Sequence, residues 1–186
     1  FTSKGIWSGD IISPKTKVVT AGVARAGTLP SQVVFDFLTT LLDQNAIRQD
    51  HIYMSRVIDD SGTVTGVSVA GSKIGGDIKN SIVLLPDPMG ATGGSLSRAI
   101  SMYKELGKQH GAPLKIATLN LIITPEYVRR ITTDHPDVLI YGIRLDRGLS
   151  AQAILKGPLG AAWEAEKGLN ERQYIVPGAG GVGEIM

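Results

Sequence analysis

Ile82-Val83-Leu84-Leu85-Pro86-Asp87-Pro88-Met89-Gly90-Ala91-Thr92-Gly93-Gly94-Ser95 is the stretch whose reading decides the fold. Its first four residues are an apolar run of strand length. The residues from Asp87 to Ser95 are mostly small or polar, and Leu96, Ala99, Ile100, Tyr103 and Leu106 then recur at helical spacing. Strand, small-residue loop and helix, in that order, make a layout that holds a phosphate. Glycines let successive backbone N–H groups converge on one anion, and the helix N-terminus adds partial positive charge. Thr92 and Ser95 can donate from their hydroxyls. Asp87, at the carboxyl end of the strand, can hold a ribose hydroxyl or meet a bound metal. The loop has no Lys after its second Gly, as a Walker loop requires. Its acid precedes the glycines, whereas a dinucleotide fingerprint has an acid on the following strand. A ribose 5-phosphate therefore suits the loop better than a triphosphate. For the loop taken alone, an ordinary strand-to-helix turn is the plain alternative.

On the amino side, Val18–Ala24 reads as a buried strand and Arg25-Ala26-Gly27 as a turn. Pro30 suits a first helical position, and Val33, Val34, Phe37, Leu38, Leu41 and Leu42 follow at helical spacing. Ile52–Val57 and Thr63–Ala70 read as hairpin strands around an Asp59-Asp60-Ser61-Gly62 turn, which explains the two acids without a metal. On the carboxyl side, a helix runs to about Gln109, Ile116–Ile123 is a strand, and Pro125 opens a helix that stops before Pro136. Val138–Ile143 is the last strand. Residues 147–173 form a long glycine-containing segment of the kind that becomes a lid or binding loop, with a short helix from Ala161 to Lys167. Strands alternating with helices indicate an α/β fold with a mostly parallel central sheet, which binds ligands at the carboxyl ends of its strands. Arg25, Arg56, Asp87 and Asp146 all fall at such ends.

The 186 residues, 42% of them hydrophobic, suit one domain with a sizeable core. A formal net charge of +2, without a dense Lys/Arg stripe, gives no support for a nucleic-acid partner. The chain has no cysteine, which rules out a disulfide framework and thiolate chemistry and suits a reducing compartment. No apolar run reaches the length of a membrane-spanning helix, and no signal peptide is expected. His51, His110 and His135 are scattered without metal-ligand spacing and read as surface or capping residues. No Ser-His-Asp arrangement is expected.

Asp87-Pro-Met-x-Ala-Thr-Gly-Gly-Ser95 resembles the phosphoribosyl pyrophosphate motif of the uracil phosphoribosyltransferases, and the likeness extends from about Val18 to the C-terminus. The resemblance implies a type I phosphoribosyltransferase-like sheet flanked by helices. It implies one domain over residues 1–186, with hood elements over about 147–186. It implies a transferase of pyrimidine salvage, converting uracil and phosphoribosyl pyrophosphate to UMP and pyrophosphate with Mg²⁺, in a cytoplasmic homodimer. Arg25, in Ala24-Arg25-Ala26-Gly27, matches the family's pyrophosphate loop, where a guanidinium fork suits paired phosphate oxygens. Arg56 lies where the family has a second pyrophosphate-binding arginine, and Lys73 is a weaker match to a lysine of that region. Asp87, Pro88, Met89, Gly90, Ala91, Thr92, Gly93, Gly94 and Ser95 form the phosphoribosyl cradle. Tyr174-Ile175-Val176-Pro177-Gly178 matches the segment that lines the base site. On that match Ile175, Gly180, Gly181 and Val182 contact the base, largely through backbone groups that need small side chains to approach a flat ring.

The chain departs from the pattern in two places. Where the family reads Gly-Leu-Gly-Asp-Ala-Gly-Asp-Arg, this sequence reads Gly178-Ala-Gly-Gly-Val-Gly-Glu-Ile185, so Gly181 stands for an acid that meets the phosphoribosyl substrate. The segment between Asp146 and Tyr174 is also longer, by roughly 18 to 20 residues, where the family has its hood over uracil. Two alternatives follow: a phosphoribosyltransferase for another heterocycle, or a non-catalytic homologue that binds nucleotide or a phosphoribosyl group.

Overall fold

Alternation along Val18–Ala24 divides the core between two faces of one sheet. Successive strand residues point to opposite sides. Val18 packs with Leu42 and Ile47, while Val19, Ala21 and Val23 join a larger cluster with Ile52, Val83, Leu85, Ala99, Ile100, Tyr103, Tyr127 and Ile131. The structure, a computed structural model, describes residues 12–58 and 64–180. In chain order the elements are β1 (Val18–Ala24), α1 (Thr28–Thr39), β2 (Ile47–Ile58), β3 (Val64–Lys73), β4 (Ile82–Gly90), α2 (Gly94–His110), β5 (Lys115–Ile123), α3 (Pro125–Asp134), β6 (Leu139–Leu145) and α4 (Gln152–Leu155). A 3₁₀ turn follows at Trp163–Ala165. The sheet order is β3-β2-β1-β4-β5-β6, parallel throughout except for the antiparallel β2–β3 pair. Helix α1 covers β1, β2 and β4 on the smaller-cluster face, and α2 and α3 pack on the other.

This order places a topological switch between β1 and β4. The first half of the sheet grows from β1 towards β3, the second from β4 towards β6. The two central strands pair only over Val18–Thr20 and Ile82–Leu84, then part. Connections leaving their carboxyl ends diverge in opposite directions and open a crevice there.

Strand β1 has the limits read from its sequence, and β4 does not end at Leu85. It continues through Pro86-Asp87-Pro88 to Gly90, with Asp87 opposite Asn120 and Gly90 opposite Ile123 on β5. Prolines are tolerated because pairing with β1 has already ended at Leu84, so β4 has a free edge on that side. Strand β2 likewise starts earlier than the apolar pattern suggests. Its polar opening, Arg48-Gln49-Asp50-His51, resembles a loop in sequence. In the fold Asp50 is fully buried and accepts from Arg48 Nε at 2.9 Å, Gly75 N at 2.9 Å and Tyr103 Oη at 2.8 Å. Pro30 sits third in α1, within the first turn, where a missing N–H leaves no intrahelical bond unmade. The Asp59–Gly62 turn lies outside the described residues.

The apolar pattern of α1 is only half used. Leu42 is buried beyond its end and Val34 and Leu38 are half-buried, yet Leu29, Val33, Phe37 and Leu41 form an exposed stripe at four-residue spacing. The same side of the sheet is bare over its far half, where Leu121, Leu139, Tyr141 and Ile143 are exposed. Among the described residues no helix is long and apolar enough to cross a membrane.

Candidate functional site

The loop between β4 and α2 is held from beneath by the start of α3. Gly90 must lack a side chain, since a Cβ there would stand 2.9 Å from the Tyr127 ring. Gly93 has φ +77°, a left-handed conformation that glycine adopts freely, and it turns the chain into α2. No side chain caps that helix. Among the described residues, the N–H groups of Ala91, Gly94 and Ser97 find acceptors, leaving those of Thr92, Gly93, Ser95 and Leu96 open to a ligand. A 17-residue helix with an uncapped N-terminus and open amides before it has the chemistry that suits an anion.

Three residues that the sequence reading did not single out fix this loop. Thr124 caps α3, accepting from Tyr127 N at 2.9 Å, and donates its hydroxyl to Ala91 O at 2.7 Å. Asn120 donates to Asp87 O at 2.8 Å and accepts from Tyr127 Oη at 3.1 Å. Burial raises the Tyr127 phenol, so it stays a donor. The Thr124-Pro125 pair, a cap residue followed by proline at the first helical position, was the available signal for one of them.

Asp87 is half-buried at the crevice. Burial pushes its carboxyl from 3.8 up to about 6, opposed in part by the Met89 N–H it accepts at 2.9 Å. Arg25 follows β1 directly, across the switch. It is exposed and has no ion-pair partner among the described residues. The Ala24–Arg25 peptide is cis. Gly27 packs so tightly that a Cβ would stand 2.8 Å from Val23 O and 3.0 Å from Pro86 O, which brings the β1 turn against β4 one residue before Asp87. The fold thus brings together Arg25, Asp87 and the loop to Ser95. Arg56 is on β2 opposite Val67, two residues before the strand ends, and its side chain lies outside the described residues. Lys73 pairs with His51 on the outermost strand, so the width of β2 and β1 separates it from Asp87.

The base segment is built on the tip of β6. Asp146 is buried, forms an ion pair with Arg144 Nε at 2.7 Å and accepts from Gly178 N at 2.8 Å. Arg144 also donates to Gly178 O at 3.1 Å. Gly178 has φ +65°, and a Cβ there would stand 2.4 Å from Ile175 O, so the turn after Ile175 requires glycine. Ile175 is buried and bridges to Leu169. Gly180 is exposed, with φ +72°. Gly181 and Val182 lie outside the described residues. The helix expected over Ala161–Lys167 is only the short 3₁₀ turn, because Glu166 turns inward to meet Arg147.

Of the three histidines, His135 takes the capping role expected of it, buried at the end of α3. It sits with Ser97 and Asp134 in a cluster that no sequence spacing suggested, Ser97 Oγ donating to Asp134 at 2.6 Å and standing 3.2 Å from His135 Nε2. The serine proton points to the carboxylate rather than to the imidazole, so the cluster ties α2 to α3 instead of making a nucleophile. Among the described residues no group of three acids, histidines or cysteines could hold a metal ion on its own.

Comparison with known proteins gives the family and the fold. The family model for uracil phosphoribosyltransferase matches residues 10–162. Uracil phosphoribosyltransferases of Caldanaerobacter subterraneus and Chlamydia muridarum are 38% and 41% identical to it over 114 residues, 61% of this chain. Those matches span 42% and 29% of the relatives' own length. Among solved structures, the AQ2163 protein of Aquifex aeolicus aligns with a TM-score of 0.62 at 24% identity, over 91% of this chain and 64% of that one. An adenine phosphoribosyl transferase of Trypanosoma brucei aligns with a TM-score of 0.50 at 15% identity, over 79% of this chain and 63% of that one. Both structures share the fold.

Proposed function

The chain belongs to the uracil phosphoribosyltransferase family, and on that premise we propose that it transfers a phosphoribosyl group from phosphoribosyl pyrophosphate to uracil, giving UMP and pyrophosphate. The observation that carries the reading is the meeting of the Arg25 turn and the Asp87–Ser95 loop at the switch between β1 and β4. The free amides from Thr92 to Leu96 suit the 5-phosphate, the Arg25 fork suits pyrophosphate oxygens, and Asp87 suits the ribose hydroxyls. A uracil nitrogen forms the new bond to the ribose carbon as the bond to pyrophosphate breaks. Charge builds on the ring and on the leaving group, so positioned charges and dipoles supply most of the acceleration.

Mg²⁺ belongs to this reading as a companion of the substrate. Such an ion is commonly held by one or two carboxylates together with substrate phosphates, and Asp87 is the carboxylate this site offers. When bound, it neutralises charge on the pyrophosphate. Removal of Mg²⁺ by chelation is expected to weaken phosphoribosyl pyrophosphate binding, and unchanged affinity would remove the metal from the reading.

A homodimer is part of the proposal. It is supported by the exposed α1 stripe and the bare β5–β6 face, since exposed apolar clusters of this kind mark interaction sites. Sedimentation of the protein as a monomer at micromolar concentration would overturn it. A cytoplasmic location completes the reading and suits a chain without cysteine; cell fractionation checks it.

The deciding experiment is calorimetric titration with phosphoribosyl pyrophosphate, followed by turnover across a panel of bases. Arg25→Ala and Asp87→Asn are each expected to weaken binding at least tenfold, about 1.4 kcal/mol. Unchanged affinity in both variants would sink the site. Turnover of a purine or another pyrimidine, but not uracil, would replace the substrate.

A further inference from the structure

The long segment after β6 returns to its starting point. Leu149 N donates to Lys167 O at 3.1 Å, and Lys167 N donates to Ser150 Oγ at 2.9 Å. Both ends then bond to the backbone of Val176. Gly148 N donates to Val176 O at 2.9 Å, and Val176 N donates to Gly168 O at 2.8 Å. There is no slack in this arrangement. A Cβ on Gly148 would stand 2.7 Å from Val176 O, and one on Gly168 would stand 2.2 Å from Asp146 O. Val176 lies inside the turn from Ile175 to Gly178, so the base segment is gripped through its backbone by two stretches of chain.

One buried ion pair joins those two stretches. Arg147, beside Gly148, meets Glu166 Oε1 at 2.7 Å, and Glu166 lies two residues before Gly168. Both side chains are buried, Glu166 completely. Arg147 also donates to Gly157 O at 2.8 Å, and Glu166 Oε1 accepts from Gly160 N at 3.0 Å. Glu166 Oε2 has no hydrogen-bond partner among the described residues. A buried carboxylate with one oxygen unserved is a poor source of stability, since desolvation opposes the attraction. Such a pair is better suited to fixing geometry.

We propose that Arg147 and Glu166 are positioning residues that set the spacing of Gly148 and Gly168, and through them the presentation of the Ile175–Gly178 backbone to the base. The proposal rests on the phosphoribosyltransferase reading for its substrate. It concerns base recognition first: Gly168 also packs against Thr124 and donates to Glu126 Oε1 at 3.0 Å, but the phosphate cradle keeps ties of its own in the Thr124–Ala91 and Asn120–Asp87 bonds, which do not pass through Arg147 or Glu166.

The test compares Glu166→Gln with the double variant Arg147→Met/Glu166→Gln in the full chain. The double variant leaves no unpaired buried charge, so it reports even if the single variant fails to fold. Both are expected to raise KM for uracil about tenfold with kcat and phosphoribosyl pyrophosphate affinity within about twofold, the signature of lost uniform base binding. A folded double variant with unchanged KM, or one whose phosphoribosyl pyrophosphate affinity falls in parallel, would overturn the proposal. Amide hydrogen exchange gives a reading that needs no turnover. Protection at Val176 is expected to fall about tenfold while Ser97 is unchanged. If the natural chain turns over no base, the substrate assignment fails, and this exchange measurement alone decides on the pair.

Discussion

Thr124 Oγ1 stands 2.7 Å from the carbonyl oxygen of Ala91 while accepting the Tyr127 N–H at 2.9 Å. One hydroxyl therefore caps α3 and holds the phosphate loop. Thr124→Val keeps the shape and removes both bonds. It is expected to destabilise the protein by about 1–2 kcal/mol and to weaken phosphoribosyl pyrophosphate binding several-fold. Urea unfolding and calorimetry check the two effects, and a loss of stability without loss of affinity would separate the cap from the site.

Gly90 and Tyr127 are packed face to ring. Gly90→Ala would push a methyl to within 2.9 Å of the ring, and an overpacked core of this kind is destabilised by about 1–3 kcal/mol. Adding Tyr127→Leu should recover part of that loss, although Tyr127→Leu alone is destabilising. A double-mutant cycle in urea measures the coupling, and additive effects would refute the contact.

Asp87 gives the site a pH dependence. Its carboxyl is raised to about 6 in the fold against 3.8 unfolded, so the ionised form is the strained one. Below 3.8 the group is neutral in both states and contributes nothing to the difference; above 6 it is charged in both and opposes folding. Asp87→Asn should therefore stabilise the unliganded protein at pH 8, and that gain should vanish as pH falls through 6 towards 4. Ligand binding responds in the opposite sense. Protonation below about 6 removes the charge that the proposed site offers to ribose hydroxyls or metal, so phosphoribosyl pyrophosphate affinity of the natural chain should fall from pH 8 to pH 5. Melting curves and titrations across this range check both signs.

Tyr103→Phe probes structure away from the ligand. It removes one of four hydrogen bonds to the buried Asp50 carboxylate and is expected to lower stability by about 1–2 kcal/mol. Phosphoribosyl pyrophosphate affinity should not change. A matching loss of affinity would mean that the β2 core and the site are coupled.

The sequence announced what depends on local pattern. The strand, loop and helix around Asp87–Ser95, the Pro125 start of α3 and the alternation of strands with helices are all set by neighbours within a few residues. Arg25 and Asp87 could be paired in advance because an α/β sheet collects its strand ends. Thr124, Asn120 and Tyr127 were not legible, since their roles depend on which backbone atoms lie across the sheet on β4. Strand β2 hid its start because Asp50 is buried by long-range partners, Tyr103 and Gly75. Residues of α1 show the converse. The spacing of Val33, Phe37 and Leu41 predicts a buried face, and the monomer leaves that face in water.

The junction at Leu149, Ser150 and Lys167 has a consequence for descent. A segment whose ends touch can be gained or lost in one event without shifting what flanks it, and loop-closure entropy changes only by about 0.6 kcal/mol for each doubling of length. Were residues 149–167 excised, Gly148 would be followed directly by Gly168, and an ordinary peptide bond would hold the two partners of Val176 at a fixed spacing. In this chain the Arg147–Glu166 ion pair does the work that such a peptide bond would do.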